Sequence, residues 1–327
     1  MLREAVCRLK YKRTEYALLL LLVTLTLIGA CSPIDGTGSD VIRASENRRF
    51  SYEVFLPKNN LKNPLIVFSH GSGGLYRNYK WLIETLVVNG FVVAALNHPF
   101  NNANDNTEQG VIRVWDRPKD MSLLIDELLT NPEWAVHIDP ERIGAAGHSS
   151  GGYAAIALAG AIYVPELMED YCSGSNRGPD CDLANGDVAI DYSTAASSYR
   201  DDRVKSVLAM APAVGPAIDQ GSLESINIPV FVMATMDDEI LNFDRHAEFY
   251  AKSIPTAELR LLSGGGHFIY MECDVITWVA DWFISNLDLC GSQFSIDRQK
   301  VRNNAGSLMV DFFNTNIGQQ ASAFEEK

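Results

Sequence analysis

A single Gly-x-Ser-x-Gly stretch runs from Gly147 to Gly151 and carries Ser149 at its centre. A short apolar run precedes it and a longer run of small and apolar residues follows it, which is typical of a strand, a sharp turn and a helix. Glycines on either side of the serine permit the strained backbone of such a turn. At the start of the helix, the backbone N–H of Ser150 can stabilise developing negative charge. The stretch therefore indicates a nucleophilic serine.

A serine nucleophile requires a base, because a hydroxyl is a weak nucleophile at neutral pH. Among the six histidines, His267 directly follows the glycine run 264–266, which comes just after a predicted strand at 258–262. A loop at the carboxyl end of that strand brings the imidazole to the sheet edge where Ser149 is expected. We predict that His267 is the base.

The base in turn requires a carboxylate, which holds the imidazole in one tautomer and stabilises its charged form. A predicted strand at 229–234 leads directly into an acidic loop that contains Asp237 and Asp238. Asp238 is the favoured acid, because it precedes an apolar pair, Ile240 and Leu241, that can pack inward and hold the loop. Asp237 stays open as the alternative.

A second N–H donor for an oxyanion is predicted after an early strand. The apolar run 64–69 leads into a glycine-rich turn at residues 70–74. We assign the donor to the backbone N–H of Ser72, which would act together with that of Ser150. A phosphate-binding loop is the competing interpretation, and the turn lacks the Gly-Lys-[Ser/Thr] ending of such loops.

Strand and helix patterns alternate over most of the chain. Apolar runs bounded by turn residues predict further strands at 50–56, 91–96 and 204–210, and a strand that begins at Ile143 and enters the serine stretch. Helical spacing predicts helices at 79–88, 120–129, 243–252 and 274–287. This alternation predicts an α/β fold, with a mostly parallel central sheet and helices on both faces. Residues 163–203 interrupt the rhythm and are predicted to form a lid-like insertion.

The first residues have the pattern of a signal peptide for export. A basic leader precedes an apolar stretch at 17–28, and small residues then lead to Cys31. The stretch of about 12 apolar residues is too short for a helix to span the roughly 30 Å hydrocarbon core of a bilayer. The pattern resembles a bacterial lipoprotein signal, in which residues 1–30 are removed and Cys31 is lipidated. An ordinary secretory cleavage and an uncleaved anchor are the alternatives. Ser32 after the cysteine indicates sorting to the outer membrane, and residues 31–47 are predicted to be a flexible tether.

Four cysteines follow the predicted tether: Cys172, Cys181, Cys273 and Cys290. An even number in an exported protein favours disulfides and allows three pairings. A bond between Cys172 and Cys181 would close a loop of turn-forming residues, and one between Cys273 and Cys290 would join the ends of the last predicted helix. Buried free thiols are the alternative. Because Cys-x-x-Cys spacing and clustered histidines are absent from the sequence, no metal site is expected.

Composition narrows the expected partners. The chain has 327 residues, 47% of them hydrophobic, which is enough for a sizeable core in one or two domains. Its 27 basic and 41 acidic side chains give a net charge of −14. Nucleic acid is therefore not an expected partner, because binding it requires basic patches. No cofactor is expected, and the oligomeric state is not predicted.

Four segments together carry a family resemblance: 68–74 (FSHGSGG), 90–95 (GFVVAA), 147–152 (GHSSGG) and 266–268 (GHF). They resemble the predicted dienelactone hydrolases related to platelet-activating factor acetylhydrolases, within the α/β-hydrolase superfamily, over about residues 48–287. The order Ser149, Asp238, His267 is that of the superfamily. The resemblance implies the α/β-hydrolase fold and hydrolysis of carboxylic esters by a serine. True dienelactone hydrolases use a cysteine nucleophile instead. The acetylhydrolase branch places its acid after an earlier strand, where residues 210–214 here contain no carboxylate.

These patterns predict a serine-dependent carboxylic ester hydrolase that works through an acyl-enzyme. Its domain is predicted at 48–290, followed by a C-terminal tail at 291–327, in a protein that a lipid anchors in the bacterial cell envelope. A lipase, phospholipase or polyester hydrolase is one alternative, and a non-catalytic envelope lipoprotein on the same scaffold is another. The expected substrate is a small-molecule ester or a lipid. Trp81, Trp115 and Tyr153 are candidates for the walls of its pocket, with ordinary core positions as the alternative.

Overall fold

The computed structural model describes residues 36–45, 48–59, 61–182, 188–273, 288–291 and 294–318. The predicted signal peptide, Cys31 and the predicted helix at 274–287 lie outside the described residues. In the described part of the chain, no helix is long and apolar enough to cross a bilayer.

Within the described residues, eight strands form one mixed sheet and two more form a separate short hairpin. The strands of both sheets are β1 (Gly38–Ser45), β2 (Arg48–Phe55), β3 (Asn63–Ser69), β4 (Val92–Asn97), β5 (Asn101–Asn102), β6 (Asp105–Asn106), β7 (Ile138–His148), β8 (Val204–Met210), β9 (Val230–Ala234) and β10 (Ala257–Leu261). The order in the mixed sheet is β1-β2-β4-β3-β7-β8-β9-β10, and the hairpin consists of β5 and β6. Strands β1 and β2 pair antiparallel to each other, and β2 pairs antiparallel to β4, whereas all the pairs from β4 to β10 are parallel.

The central strands are parallel because they are apolar on both faces. Every residue of β3 and of β9 is buried. A strand of this kind needs cover on both sides of the sheet, which crossover helices provide. Parallel strands also place their carboxyl ends at one edge, so the segments after β3, β7, β9 and β10 converge there.

Helices cover both faces of the sheet, as the sequence predicts. On one face, Val67 of β3 belongs to a core cluster with Leu124 and Tyr153. On the other face, Phe313 packs against Phe91, with ring centroids 6.0 Å apart. The helices are α1 (Lys80–Val88), α2 (Glu108–Ile112), α3 (Asp116–Thr130), α4 (Pro132–Ala135), α5 (Ser150–Ala159), α6 (Pro165–Ser173), α7 (Gln220–Glu224), α8 (Ala247–Ser253) and α9 (Arg298–Ile317).

The structure differs from the predicted tether at 31–47. Residues 38–45 form β1, which pairs with β2 along most of its length. The sheet therefore begins ten residues before the predicted domain start at 48. The Gly, Ser and Asp residues of this segment are typical of loops, so its composition does not predict a strand. The strand forms by backbone pairing with β2.

The structure also differs from the predicted tail at 291–327. Helix α9 lies in this segment and buries Ala305, Met309, Phe313 and Ile317 against the domain. Gly144 of β7 permits this packing, because a Cβ atom there would lie 2.8 Å from the Phe313 ring and 2.9 Å from Ile317. The core thus extends well past the predicted boundary at 290.

The segment predicted as a lid contains regular structure. Helix α6 opens it, and a 3₁₀ helix at Pro179–Asp182 follows. Cys172 and Cys181 form a disulfide that joins these two helices. Asp180 beside it is buried, with Oδ2 3.3 Å from His246 Nε2, so the insertion packs against the segment just before α8.

Candidate active site

Ser149 occupies a strained turn between β7 and α5. Its backbone has φ 56° and ψ −121°, a conformation that side-chain-bearing residues rarely adopt. A Cβ atom on Gly147 would lie 2.1 Å from the Gly151 carbonyl oxygen, and one on Gly151 would lie 2.1 Å from the Ser69 carbonyl oxygen. Both glycines are therefore required for the close approach of strand, turn and helix, the geometry expected of a nucleophile elbow.

His267 and Asp238 are in direct contact at the same sheet edge. The distance from His267 Nδ1 to Asp238 Oδ2 is 2.8 Å. The other carboxylate oxygen accepts hydrogen bonds from the backbone N–H groups of Ile240, at 3.0 Å, and Leu241, at 2.7 Å. Asp237 is exposed instead. Of the two acids that the sequence left open, the structure brings Asp238 to the base.

The charges at this contact shift both pKa values in the direction that general-base catalysis uses. Burial lowers the pKa of His267, but attraction to Asp238, the hydrogen bond to it and the nearby Glu239 outweigh burial, so the net shift is upward. Burial raises the pKa of Asp238, but the imidazole and the two backbone N–H groups more than reverse this effect. Asp238 is therefore ionised at neutral pH and can stabilise the imidazolium.

His267 lies against the elbow that carries Ser149. The rings of His148 and His267 are 4.7 Å apart, which places the base directly against the elbow. Within the described residues, no hydrogen bond joins the Ser149 hydroxyl to His267. Catalytic contacts of this kind often tighten only when substrate binds.

The predicted oxyanion loop adjoins the nucleophile. A Cβ atom on Gly71 would lie 3.4 Å from Ser149 Cβ, so the turn after β3 passes directly over the elbow. In the part of the chain that the structure describes, the backbone N–H groups of Ser72 and Ser150 donate to no protein acceptor. Both therefore have a free proton for a negatively charged oxygen.

A buried polar network that was not predicted from the sequence supports this loop. Arg117 is 1% exposed, and its guanidinium donates to the carbonyl oxygens of His70 at 2.6 Å and Gly71 at 3.4 Å. Below it, His98 Nε2 lies 2.8 Å from Ser69 Oγ, and His98 Nδ1 lies 2.8 Å from an Asp120 oxygen. This second Ser-His-Asp arrangement lies beneath the oxyanion loop, where Ser69 Oγ also accepts a hydrogen bond from Arg117 at 3.4 Å, so it supports the loop. In the sequence, only the polar residues at the start of α3 could have indicated this network.

Side chains of α9 and α1 donate hydrogen bonds to the loop after β10 that carries His267. Arg298 of α9 donates to the carbonyl oxygens of Phe268 at 2.6 Å and Met271 at 2.8 Å. Trp81 Nε1 donates to the Tyr270 carbonyl oxygen at 2.6 Å. Trp81 therefore anchors the loop of the base. Trp115 and Tyr153, the other two predicted pocket walls, are fully buried core residues.

A cavity of about 200 Å³ lies near the oxyanion loop, lined in part by Arg48, Arg113 and Arg117. No residue of the Ser149, Asp238 and His267 set lines it. Its arginines are largely engaged with Asp116, Asp120 and backbone carbonyls. Among the described residues, no group of three or more His, Cys, Asp or Glu side chains is arranged to hold a metal ion.

All four cysteines after the tether are paired. Cys172 bonds to Cys181, and Cys273 bonds to Cys290. The second bond joins the loop that follows His267 to the segment that leads into α9. This pairing is one of the three that the sequence allowed.

An eight-stranded sheet of this order, with a serine elbow after β7 and acid and histidine after β9 and β10, defines the α/β-hydrolase fold. The predicted fold is confirmed. Solved structures agree with it. The ferulic acid esterase from Streptomyces cinnamoneus superposes with a TM-score of 0.59 at 17% identity, over 91% of this chain and 94% of that one. The acylaminoacyl peptidase from Pyrococcus horikoshii superposes with a TM-score of 0.56 at 14% identity, over 95% of this chain and 46% of that one.

Sequence comparisons point to particular esterases. The family model of platelet-activating factor acetylhydrolase, isoform II, matches residues 38–109, which include the oxyanion loop. The resemblance predicted from the motifs is confirmed for this segment. The cutinases est2 and est1 of Thermobifida alba are 30% and 29% identical over 108 residues, which is 32% of this chain. The match spans about a third of the length of those relatives, 33% of each.

Proposed function

We propose that the protein is a serine-dependent carboxylic ester hydrolase. The observation that carries this proposal is the contact of Asp238 with His267 at the sheet edge where Ser149 sits in its strained turn. The likeness to cutinases and to the acetylhydrolase family supports an ester as the substrate class.

The reaction follows from the positions of these groups. His267 Nε2 takes the proton of Ser149 as its Oγ attacks the ester carbonyl carbon. The N–H groups of Ser72 and Ser150 hold the oxyanion, and the protonated His267 then gives its proton to the leaving alcohol. Water, deprotonated by the same imidazole, hydrolyses the acyl-enzyme and restores the Ser149 hydroxyl. Asp238 stabilises the imidazolium in both halves.

Replacement of the nucleophile tests the proposal. Ser149→Ala should lower turnover of short-chain p-nitrophenyl esters by several orders of magnitude, because no acyl-enzyme forms. It should also abolish covalent labelling by a fluorophosphonate probe. Ser173→Ala, an exchange of an exposed hydroxyl on α6, is the matched control and should keep full activity. Undiminished turnover in the Ser149 variant would refute the assignment, and an unlabelled, inactive wild type would favour the non-catalytic lipoprotein.

Hydrolysis of a polyester or lipid ester is the second candidate, favoured by the 108-residue match to two cutinases. The same residues would catalyse it, and the difference would lie in access for a long or polymeric acyl chain. Rates on p-nitrophenyl acetate, butyrate and palmitate, on tributyrin and on a polyester film would separate the two. Activity restricted to acetate and butyrate would eliminate the second candidate.

We further propose that a lipid on Cys31 holds the protein in the bacterial cell envelope, on the outer membrane. The basic leader, the apolar stretch and the small residues before Cys31 support this, and so does the pairing of four cysteines. Cells grown with labelled palmitate should yield labelled protein that fractionates with outer membranes. Cys31→Ala should release unlabelled protein in soluble form, whereas unchanged labelling would contradict the proposal.

A further inference from the structure

Side chains hold both backbone polar groups of His267. Its N–H donates to Glu239 Oε2 at 2.9 Å, and its carbonyl oxygen lies 3.0 Å from His148 Nε2. His148 directly precedes Ser149, and Glu239 directly follows Asp238. The residue next to the nucleophile and the residue next to the acid therefore both contact the backbone of His267.

The contacts of His148 fix which of its nitrogens carries the proton. Tyr79 Oη accepts from the Gly71 N–H at 3.1 Å, so its own proton is directed to His148 Nδ1, 2.7 Å away. His148 Nε2 then carries the ring proton and donates to the His267 carbonyl oxygen, which can only accept. Burial lowers the pKa of His148, which keeps the ring neutral and this assignment intact. A continuous path of hydrogen bonds thus joins the oxyanion loop to the backbone of the base.

The segment that carries His267 has little rigidity of its own. Gly264, Gly265 and Gly266 precede it with φ values of 85°, 105° and 62°. A glycine run loses more conformational entropy on ordering than other residues do. A Cβ atom on Gly266 would lie 2.3 Å from Glu239 Oε2, so the glycine also gives the carboxylate its access to the His267 N–H. External contacts must therefore fix the position of the imidazole.

We propose that Glu239 and His148 are positioning residues that clamp the His267 backbone and so hold the imidazole between Asp238 and Ser149. This proposal rests on the proposed ester hydrolysis. It adds two residues that touch neither the ester nor the reacting atoms. Their effect should fall on kcat, because an imidazole displaced by about 1 Å loses its alignment for proton transfer.

Glu239 also contributes a charge. The ionisable groups packed around His267 are Asp238 and Glu239 from the loop after β9 and His148 from the elbow, and Tyr270 of its own 3₁₀ turn lies against the His148 ring, with centroids 5.1 Å apart. Of these, the two carboxylates raise the pKa of His267 against the effect of its burial. Loss of the Glu239 charge should therefore let the base stay neutral at lower pH.

Four variants separate the contact from the charge. Glu239→Gln keeps an oxygen for the His267 N–H and removes the charge, and Glu239→Ala removes both. His148→Gln keeps an N–H near the position of Nε2, and His148→Phe keeps the ring without a donor. The matched controls are Glu258→Gln, an exposed carboxylate on β10, and His137→Phe, a histidine remote from the loop.

We expect Glu239→Ala and His148→Phe each to lower kcat by about 10- to 100-fold with KM within about twofold, measured per active site by fluorophosphonate titration. Glu239→Gln and His148→Gln should recover most of kcat. In Glu239→Gln the midpoint of the acidic limb of kcat/KM should move to lower pH, and in Glu258→Gln it should not.

Several outcomes would overturn the clamp. One is a kcat per active site in Glu239→Ala and His148→Phe that equals the wild-type value. Another is a loss of kcat in Glu239→Gln and His148→Gln as large as the loss in Glu239→Ala and His148→Phe. A loss confined to melting temperature and to the titratable fraction of sites would assign these residues a structural role only. If wild-type protein neither reacts with the probe nor hydrolyses any ester, the proposed function fails instead, which is a separate result.

Discussion

At the scale of single residues, two aspartates stand side by side after β9, and only one can orient the base. Asp238 lies 2.8 Å from His267 and is held by two backbone N–H groups, whereas Asp237 is exposed. The sequence favoured Asp238 through the apolar pair that follows it. It could not decide between them, because the choice depends on how the loop turns in three dimensions.

This difference predicts unequal effects of matched exchanges. Asp238→Asn should lower kcat by about 10³- to 10⁴-fold, because an amide can hold the wrong tautomer of His267 and cannot stabilise its charge. Asp237→Asn should change kcat less than about twofold. Steady-state kinetics on a p-nitrophenyl ester measures both. Similar losses in the two variants would show that the acid is not Asp238 alone.

The pH profile offers a second test at this scale. His267 acts as a base only when neutral, so activity falls as the pH drops through its pKa. Because Asp238 and Glu239 raise that pKa, the acidic limb of kcat/KM should have its midpoint above the usual histidine value of about 6.5. Residual activity of Asp238→Asn should show a midpoint at lower pH. A wild-type midpoint below about 6.5 would contradict the assigned environment.

At the scale of elements, the buried parallel strands were predictable from the sequence, whereas β1 and helix α9 were not. Strand β8 has the predicted bounds and β9 begins one residue after its predicted start, because continuous apolar runs between turn residues indicate buried strands. Helix α8 begins at Ala247, four residues after its predicted start, since residues 243–246 form turns. Helix α9 was not predicted, because Asn, Gly and Ser residues interrupt the spacing of its apolar residues. Small residues bury it: Gly306 brings it against Thr85 of α1, where a Cβ atom would lie 3.3 Å from Thr85 Cγ2.

The residues of the site divide in the same way into those that a sequence pattern predicts and those that it does not. The serine, the base and the two acids follow strands whose ends meet, so topology alone places them together. Glu239, His148 and Arg298 act on backbone groups of a distant loop. Contacts of this type depend on the tertiary path of the chain and carry no spacing pattern.

Because helix α9 packs on the core, truncation of one of its buried side chains should strongly destabilise the protein. Phe313 is fully buried, so Phe313→Ala should lower the free energy of unfolding by about 3–5 kcal/mol. Asn314→Ala, one residue along on the exposed side, should change it by less than about 0.5 kcal/mol. Urea unfolding followed by circular dichroism measures both. Equal stability of the two variants would mean that the helix does not belong to the core.

At the scale of the whole molecule, two disulfides cross-link parts of the chain that lie outside the sheet. One joins α6 to the 3₁₀ helix that contains Asp180, and the other follows the loop of His267. The bonds therefore restrain segments that the pairing of the sheet does not hold.

Removal of the disulfide between Cys172 and Cys181 should lower stability without abolishing the fold. The double exchange Cys172→Ser and Cys181→Ser opens a loop with a sequence separation of 9. It should lower the free energy of unfolding by about 2–3 kcal/mol, as the unfolded chain gains freedom. Urea midpoints of wild type and variant give the value, and kcat at low temperature should be retained. A loss of kcat in fully folded variant protein would instead implicate the insertion in the reaction.

Helix α9 has a consequence for how the protein is made. It leaves the ribosome after every described strand of the sheet, yet it covers Gly144 of β7 and supplies Arg298 to the loop of the base. During synthesis the nucleophile, acid and histidine all emerge before the element that secures them. A chain that ends before α9 therefore contains every reacting group of the proposed reaction but lacks the helix that packs on β7 and holds the loop of His267. We expect ester hydrolysis only from a chain that includes α9.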